Sequence, residues 1–171
     1  MNQLMDELAI NRSIKRMSHE IIEKNKGIDN IVLVGIKTRG ITLAYRLKEI
    51  LEKLEDKAVV VYDLDISYWR DDNLEGEEKP SIEMDVNRKI CILVDDVLFS
   101  GRTIRAAMDG VMEYGRPSSI QLAVLVDRGH RELPIRPDYV GKNLPTSHSE
   151  RVFVKFKEND GFDSVYIDKK E

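Results

Sequence analysis

The chain has 171 residues, 42% of them hydrophobic and 34% charged, with a formal net charge of −4. That balance suits one globular domain with a sizeable core and excludes a disordered chain. No apolar run is long enough to span a bilayer, the N-terminus lacks a signal peptide's apolar core, and the lone Cys91 builds neither a disulfide framework nor a metal cluster. The expected setting is therefore the cytoplasm, without membrane contact.

The first predicted element is a helix with Ile10, Ile14, Met17 and Ile21 on one face. Arg12, Lys15, Arg16 and His19 cluster on the opposite face. Glu20 and Glu23 adjoin them, so this face fits either an ordinary solvated surface or a phosphate backbone. Gly27 is placed to end the helix. A strand follows over Ile31 to Val34, then the loop GIKTRG, Gly35 to Gly40. A second helix shows Leu43, Leu47, Ile50 and Leu54 at spacings of three and four.

Val59 to Tyr62 is a second apolar run, and Asp63 to Tyr68 alternates polar with apolar. Arg70 to Pro80, RDDNLEGEEKP, reads as a mobile charged loop. A third strand over Ile90 to Val94 runs into Asp95 and Asp96. A helix from about Arg102 stops at Gly115, with Pro117 beyond, and Ile120 to Val126 is a fourth strand. At the end, VFVKF from Val152, a turn at Asn159 to Gly161 and a strand over Ser164 to Ile167 read as a hairpin. The expected fold class is α/β: a central, mostly parallel sheet flanked by helices, with a C-terminal β-hairpin.

The stretch ILVDDVLFSGRT, Ile92 to Thr103, carries the chemistry. Ligands of open α/β sheets bind beyond the carboxyl ends of strands, where a loop enters a helix. Ser100 and Thr103 offer hydroxyls there, Gly101 lets backbone approach a ligand, and the first helical N–H groups are unpaired. That is a phosphate cradle. Two carboxylates beside a phosphate must face something else, and ribose hydroxyls suit them. On its own the acid pair also fits a helix N-cap with a solvated neighbour. A P-loop NTPase is disfavoured, since GxxxxGK[ST] is missing, and so is GxGxxG.

The whole string CILVDDVLFSGRT, residues 91–103, resembles the phosphoribosyl-pyrophosphate (PRPP) motif of the type I phosphoribosyltransferases. The resemblance implies that Asp95 and Asp96 bind ribose hydroxyls. It gives the 5′-phosphate to Val97, Leu98, Phe99, Ser100, Gly101, Arg102 and Thr103. GIKTRG, residues 35–40, is similar to the family's pyrophosphate loop, with Lys37, Thr38, Arg39 and Gly40 holding the leaving group. Residues 70–80 match its lid, from which Arg70 reaches the pyrophosphate. Mg²⁺ is expected to arrive bound with PRPP, and no direct protein ligand is expected for it. In the hypoxanthine-guanine members an Asp acts on the purine from the position of Phe99. Phe99 moves no proton, so a transferase of that kind is not expected.

Four further segments carry a closer resemblance: HEIIEKNKG, LVGIKTRG, PSSIQLAVLVDRGHRELPIRP (Pro117 to Pro137) and DYVGKNLPTS. They are similar to a bacterial family of pyrimidine-gene regulators that are also uracil phosphoribosyltransferases. That implies one domain over residues 1–171, the substrates PRPP and uracil, and the nucleotides UMP and UTP as ligands. It implies the leader mRNA of pyrimidine operons as partner, and a homodimer or larger homo-oligomer. The RNA surface carried over comprises Lys15, Arg16, His19, Lys24, His130, Arg131, Arg136 and Lys142, with Lys15 and Ser100 each standing where Thr is usual and Phe99 where Tyr is usual. Uracil would sit near Asp138 to Thr146, with Asn143 and Thr146 as its contacts. The alternatives are a regulator with a vestigial transferase site, and a transferase for another base without an RNA role.

Overall fold

The computed structural model describes residues 2–72, 76 and 78–169. Residues 73–75 and 77 of the expected lid loop lie outside them. A five-stranded, wholly parallel sheet has the order β3-β2-β4-β5-β6: β2 Ile31–Ile36, β3 Val60–Leu64, β4 Ile90–Leu98, β5 Ser119–Asp127 and β6 Tyr139–Asn143. A three-stranded antiparallel sheet, β1-β8-β7, joins β1 Asn2–Met5 to β7 Glu150–Lys155 and β8 Ser164–Lys169.

Side chains alternate along the parallel strands, and both faces are covered. Ile31, Leu33, Ile92 and Val94 face one side, under α1 (Glu7–Asn25) and α2 (Arg39–Glu55). Val32, Val34, Cys91 and Leu93 face the other, against α3 (Arg102–Tyr114). Cys91 is fully buried, and burial pushes its thiol up to about 11. Asp6 caps α1 through the Ala9 amide at 2.8 Å. α1 ends in the left-handed Lys26 and Gly27, whose N–H donates to the Ile22 carbonyl oxygen at 3.0 Å. Its expected face, Ile10, Ile14, Met17 and Ile21, is buried.

Five sequence expectations need correction. β4 does not stop at Val94 but continues through Asp95 and Asp96 to Leu98, because β5 pairs with it as far as Asp127. The buried stripe of α2 is Gly40, Leu43, Ala44, Leu47 and Leu51, while Leu54 is exposed. Small residues at 40 and 44 let the helix roll onto the sheet on that side. Beyond β3 the alternating segment bends into a 3-10 turn, Ser67–Trp69, held by Ser67 donating to Asp65. The Asn159–Gly161 turn is the end of a short helix, α4 (Lys157–Asp160), closed by left-handed Gly161. The C-terminal hairpin is not alone, since β1 pairs with β8. Neither β1 nor β6 was expected.

Candidate functional site

The carboxyl ends of β2, β3 and β4 open into a depression of about 430 Å³. Asp95, Asp96, Val97 and Thr103 line one wall; Lys37, Thr38 and Arg70 line the other. Residues 95–103 and 35–40 are far apart in sequence and meet because β2 and β4 are neighbours. Asp65 and Ser67, which sequence reasoning missed, also line it. Asp65 follows the end of β3 as Asp95 nears the end of β4, and that shared position was the available signal. Bonds from Ser67, then the nearby Lys37 cation, hold the Asp65 carboxyl below its ordinary range.

Asp95 is buried and Asp96 half-buried. Each accepts from the next backbone amide at 2.9 Å: Asp96 N–H to Asp95, Val97 N–H to Asp96. Burial first, then the Asp96 charge, pushes the Asp95 carboxyl well above its ordinary range. Two acids this close do not both carry full charge easily, and hydroxyl donors relieve both. Beyond them, Gly101 stands at φ +94° as N-cap of α3, a conformation that favours glycine. The Ser100 hydroxyl accepts from the Arg102 amide at 3.3 Å.

Some expected ligands sit elsewhere. Leu98 is in the core, which leaves only its backbone to the cradle. The Arg102 side chain turns out to Asp71 (2.6 Å) and Glu132 (3.1 Å). Arg70 lines the depression while paired with Asp72 at 2.8 Å. Arg39, the first residue of α2, is held by Asp160 of α4 at 2.6 and 3.2 Å. Gly40 is pressed against β4, and the Lys37–Thr38 peptide is cis.

Phe99 leaves the cradle and joins a ring cluster. Its centroid lies 5.4 Å from His130 and 6.2 Å from His148, which are 4.2 Å from each other. The Arg128 guanidinium covers the Phe99 ring at 4.2 Å. Thr146, expected near uracil, accepts from Arg128 through its hydroxyl at 3.2 Å and from His130 through its carbonyl. Asn143 is exposed at the end of β6.

The basic residues fall into three places. The Arg16 guanidinium donates to the Val140 and Gly141 carbonyls at 3.1 and 2.7 Å, and Lys24 pairs with Asp138 at 2.7 Å. The α1 set thus runs beside β6, the sheet's edge strand, which carries the exposed Lys142. His19 and Arg136 are exposed. His130 belongs instead to the ring cluster, and Arg131 is bonded to Asp127 and to the Ile135 carbonyl. Lys15 lines a separate groove between α1 and α2.

A strand carrying two acids, a left-handed glycine opening a helix and a facing lysine loop define a phosphoribosyltransferase-type site. The phosphoribosyl transferase domain family matches residues 1–158. The Bifunctional protein PyrR of Lactococcus lactis subsp. cremoris (strain SK11) is 52% identical over 169 residues, 99% of this chain and 98% of that protein. That of Clostridioides difficile (strain 630) is 56% identical over 170 residues, 96% of each. A hypoxanthine phosphoribosyltransferase crystal structure from Trypanosoma cruzi superposes with a TM-score of 0.74 at 19% identity, covering 100% of this chain and 98% of that one. At that identity the likeness shows the fold. The chain belongs to the PyrR family of phosphoribosyltransferases.

Proposed function

We propose that the protein transfers the ribose 5-phosphate of PRPP to uracil, giving UMP and pyrophosphate. We propose further that it binds the leader mRNA of pyrimidine operons under control of UMP or UTP, and so attenuates their transcription. The observation that supports transfer is the facing of Asp95 and Asp96 with Lys37 and Thr38 across one depression. In this reading the acids take the ribose hydroxyls, the Ser100 and Thr103 hydroxyls with the backbone of residues 97–103 take the 5′-phosphate, and residues 37–40 with Arg70 take the pyrophosphate. As the leaving group departs, positive charge grows on the ribose, as in glycoside cleavage. The carboxylates stabilise that charge and the lysine loop stabilises the departing one. Catalysis is positioning and charge screening, with no obligatory general base.

Among the described residues no group of three or more His, Cys, Asp or Glu gathers as a metal cage. The acids present suit a cation that arrives on phosphate oxygens, and Mg²⁺ bound with PRPP supplies charge neutralisation. For base choice, Phe99 offers a ring and no proton donor. For RNA, the run of α1 cations beside Lys142 on β6 supports a phosphate-backbone contact. An mRNA partner puts the work in the cytoplasm, and the family adds a homodimer or larger homo-oligomer. Among the described residues no helix is long and apolar enough to cross a membrane.

The test is incubation with PRPP, Mg²⁺ and each nucleobase in turn, with the nucleotide product identified. UMP from uracil alone is expected; another nucleotide would replace the uracil assignment. A regulator with a vestigial site is the second reading, favoured by the tie between Arg39 and Asp160. Under it, RNA binds and no base yields product.

A further inference from the structure

We propose that Asp160 is a positioning residue of the transferase site, holding the Arg39 guanidinium in one orientation beside the pyrophosphate loop. The inference rests on the transferase reading above. Asp160 engages Nε and Nη2 of Arg39 together, and this two-point contact fixes the plane of the guanidinium. Nη1 keeps no hydrogen-bond partner among the described residues and is left for a phosphate oxygen. Arg39 remains about one-third exposed, feels the Asp96 charge, and follows directly on Lys37 and Thr38, which line the depression.

Asp160 is itself fixed. It is 13% exposed, and its Oδ2 accepts from the Phe156 amide at 3.0 Å. Three further contacts dock the same segment on α2: Thr42 with Asn159 at 2.7 Å, and Arg46 with Glu158 and with Asp163, both at 2.7 Å. From the opposite side, Gly40 rests on β4. The start of α2 is therefore gripped between the strand of the acid pair and the turn of the C-terminal sheet. That sheet becomes a working part of the site, and the tie that favours an inert centre becomes its orienting device.

The full chain is tested as Asp160→Ala, Asp160→Glu, Arg39→Ala and the Asp160→Ala, Arg39→Ala pair, with Thr42→Ala as a control that breaks a neighbouring docking contact. The readouts are KM for PRPP, KM for the base, kcat, melting temperature and direct calorimetric binding of Mg²⁺-pyrophosphate. Asp160→Ala is expected to weaken PRPP and pyrophosphate about tenfold and to leave the base KM within about twofold. Asp160→Glu should recover most of the loss, the double variant should lose no more than Arg39→Ala, and Thr42→Ala should match the wild type. Pyrophosphate affinity and PRPP KM unchanged in Asp160→Ala overturn the proposal. So does a fall in kcat and melting temperature alone, which marks a purely structural contact. A wild type that makes no nucleotide defeats the transferase reading, while pyrophosphate binding still decides the part played by Asp160.

Discussion

Gly40 rests on the backbone of Val94: a Cβ added at Gly40 would stand 2.4 Å from the Val94 carbonyl oxygen and 3.1 Å from the Asp95 Cα. The helix that follows the lysine loop and the strand that carries the acid pair therefore touch through their main chains.

Gly40→Ala meets backbone, which does not step aside. It should cost about 1–3 kcal/mol in urea unfolding and weaken PRPP more than the base. Gly115→Ala is the comparison. Its obstacle is the Asn87 side chain at 2.5 Å, which can rotate away from its bond to the Arg116 amide, so its cost should stay under about 1.5 kcal/mol. Equal losses in the two variants would show that main-chain contact at Gly40 is not special.

Asp95→Asn should separate stability from activity. The folded protein raises the Asp95 carboxyl above its ordinary value, chiefly through burial and then through Asp96. A raised carboxyl contributes stability below its unfolded pKa, and that contribution is lost as pH rises through the folded pKa. Asparagine stays neutral and still accepts the Asp96 amide. The variant should therefore gain about 1 kcal/mol over the wild type at neutral pH, roughly 2–4 °C in melting temperature, and the gain should vanish on acidification. Nucleotide formation should be lost. A variant less stable than wild type at neutral pH would contradict the burial argument.

Arg46 tests the docking of the C-terminal segment. Its guanidinium bonds Glu158 and Asp163 and covers the Phe156 ring at 4.6 Å. Bonds from Arg46 hold the Asp163 and Glu158 carboxyls below their ordinary range. Their contribution is present above the ordinary carboxylate pKa and is lost as pH falls through the lowered one. Arg46→Met strands the nearly buried Asp163 and should cost about 3 kcal/mol at neutral pH, with a smaller penalty below about pH 4. Guanidinium unfolding at the two pH values measures it.

The strands were legible because a parallel sheet buries both faces, which writes continuous apolar runs such as Cys91 to Val94. The acid pair was legible because its chemistry is contained in one string. What escaped depends on partners distant in sequence. Asn2–Met5 is a strand only because β8 offers an edge, and its four residues carry no period of their own. Tyr139–Asn143 carries two polar residues and a glycine, and it pairs as the sheet's last strand. Asp160 looked like a turn residue, and nothing local could tie it to Arg39, 121 positions away. The same applies to Arg16, whose bonds to Val140 and Gly141 make a solvated-looking cation part of the α1–β6 seam.

Arg136 and Lys142 are exposed and lie outside the depression, so Arg136→Gln and Lys142→Gln should leave nucleotide formation intact. If each contacts an RNA phosphate, each change should weaken binding to a pyrimidine leader stem-loop and flatten the plot of log affinity against log salt by about one. Arg16→Gln should do more, because it also releases α1 from two β6 carbonyls, at about 1 kcal/mol of stability. His130→Ala separates the two sites. Its imidazole packs between Phe99 and His148, so a loss of base affinity with an unchanged salt slope would assign it to the ring cluster. A loss of RNA affinity alone would restore it to the RNA surface. Gel-shift titrations at several salt concentrations, run beside the nucleotide assay, decide between them.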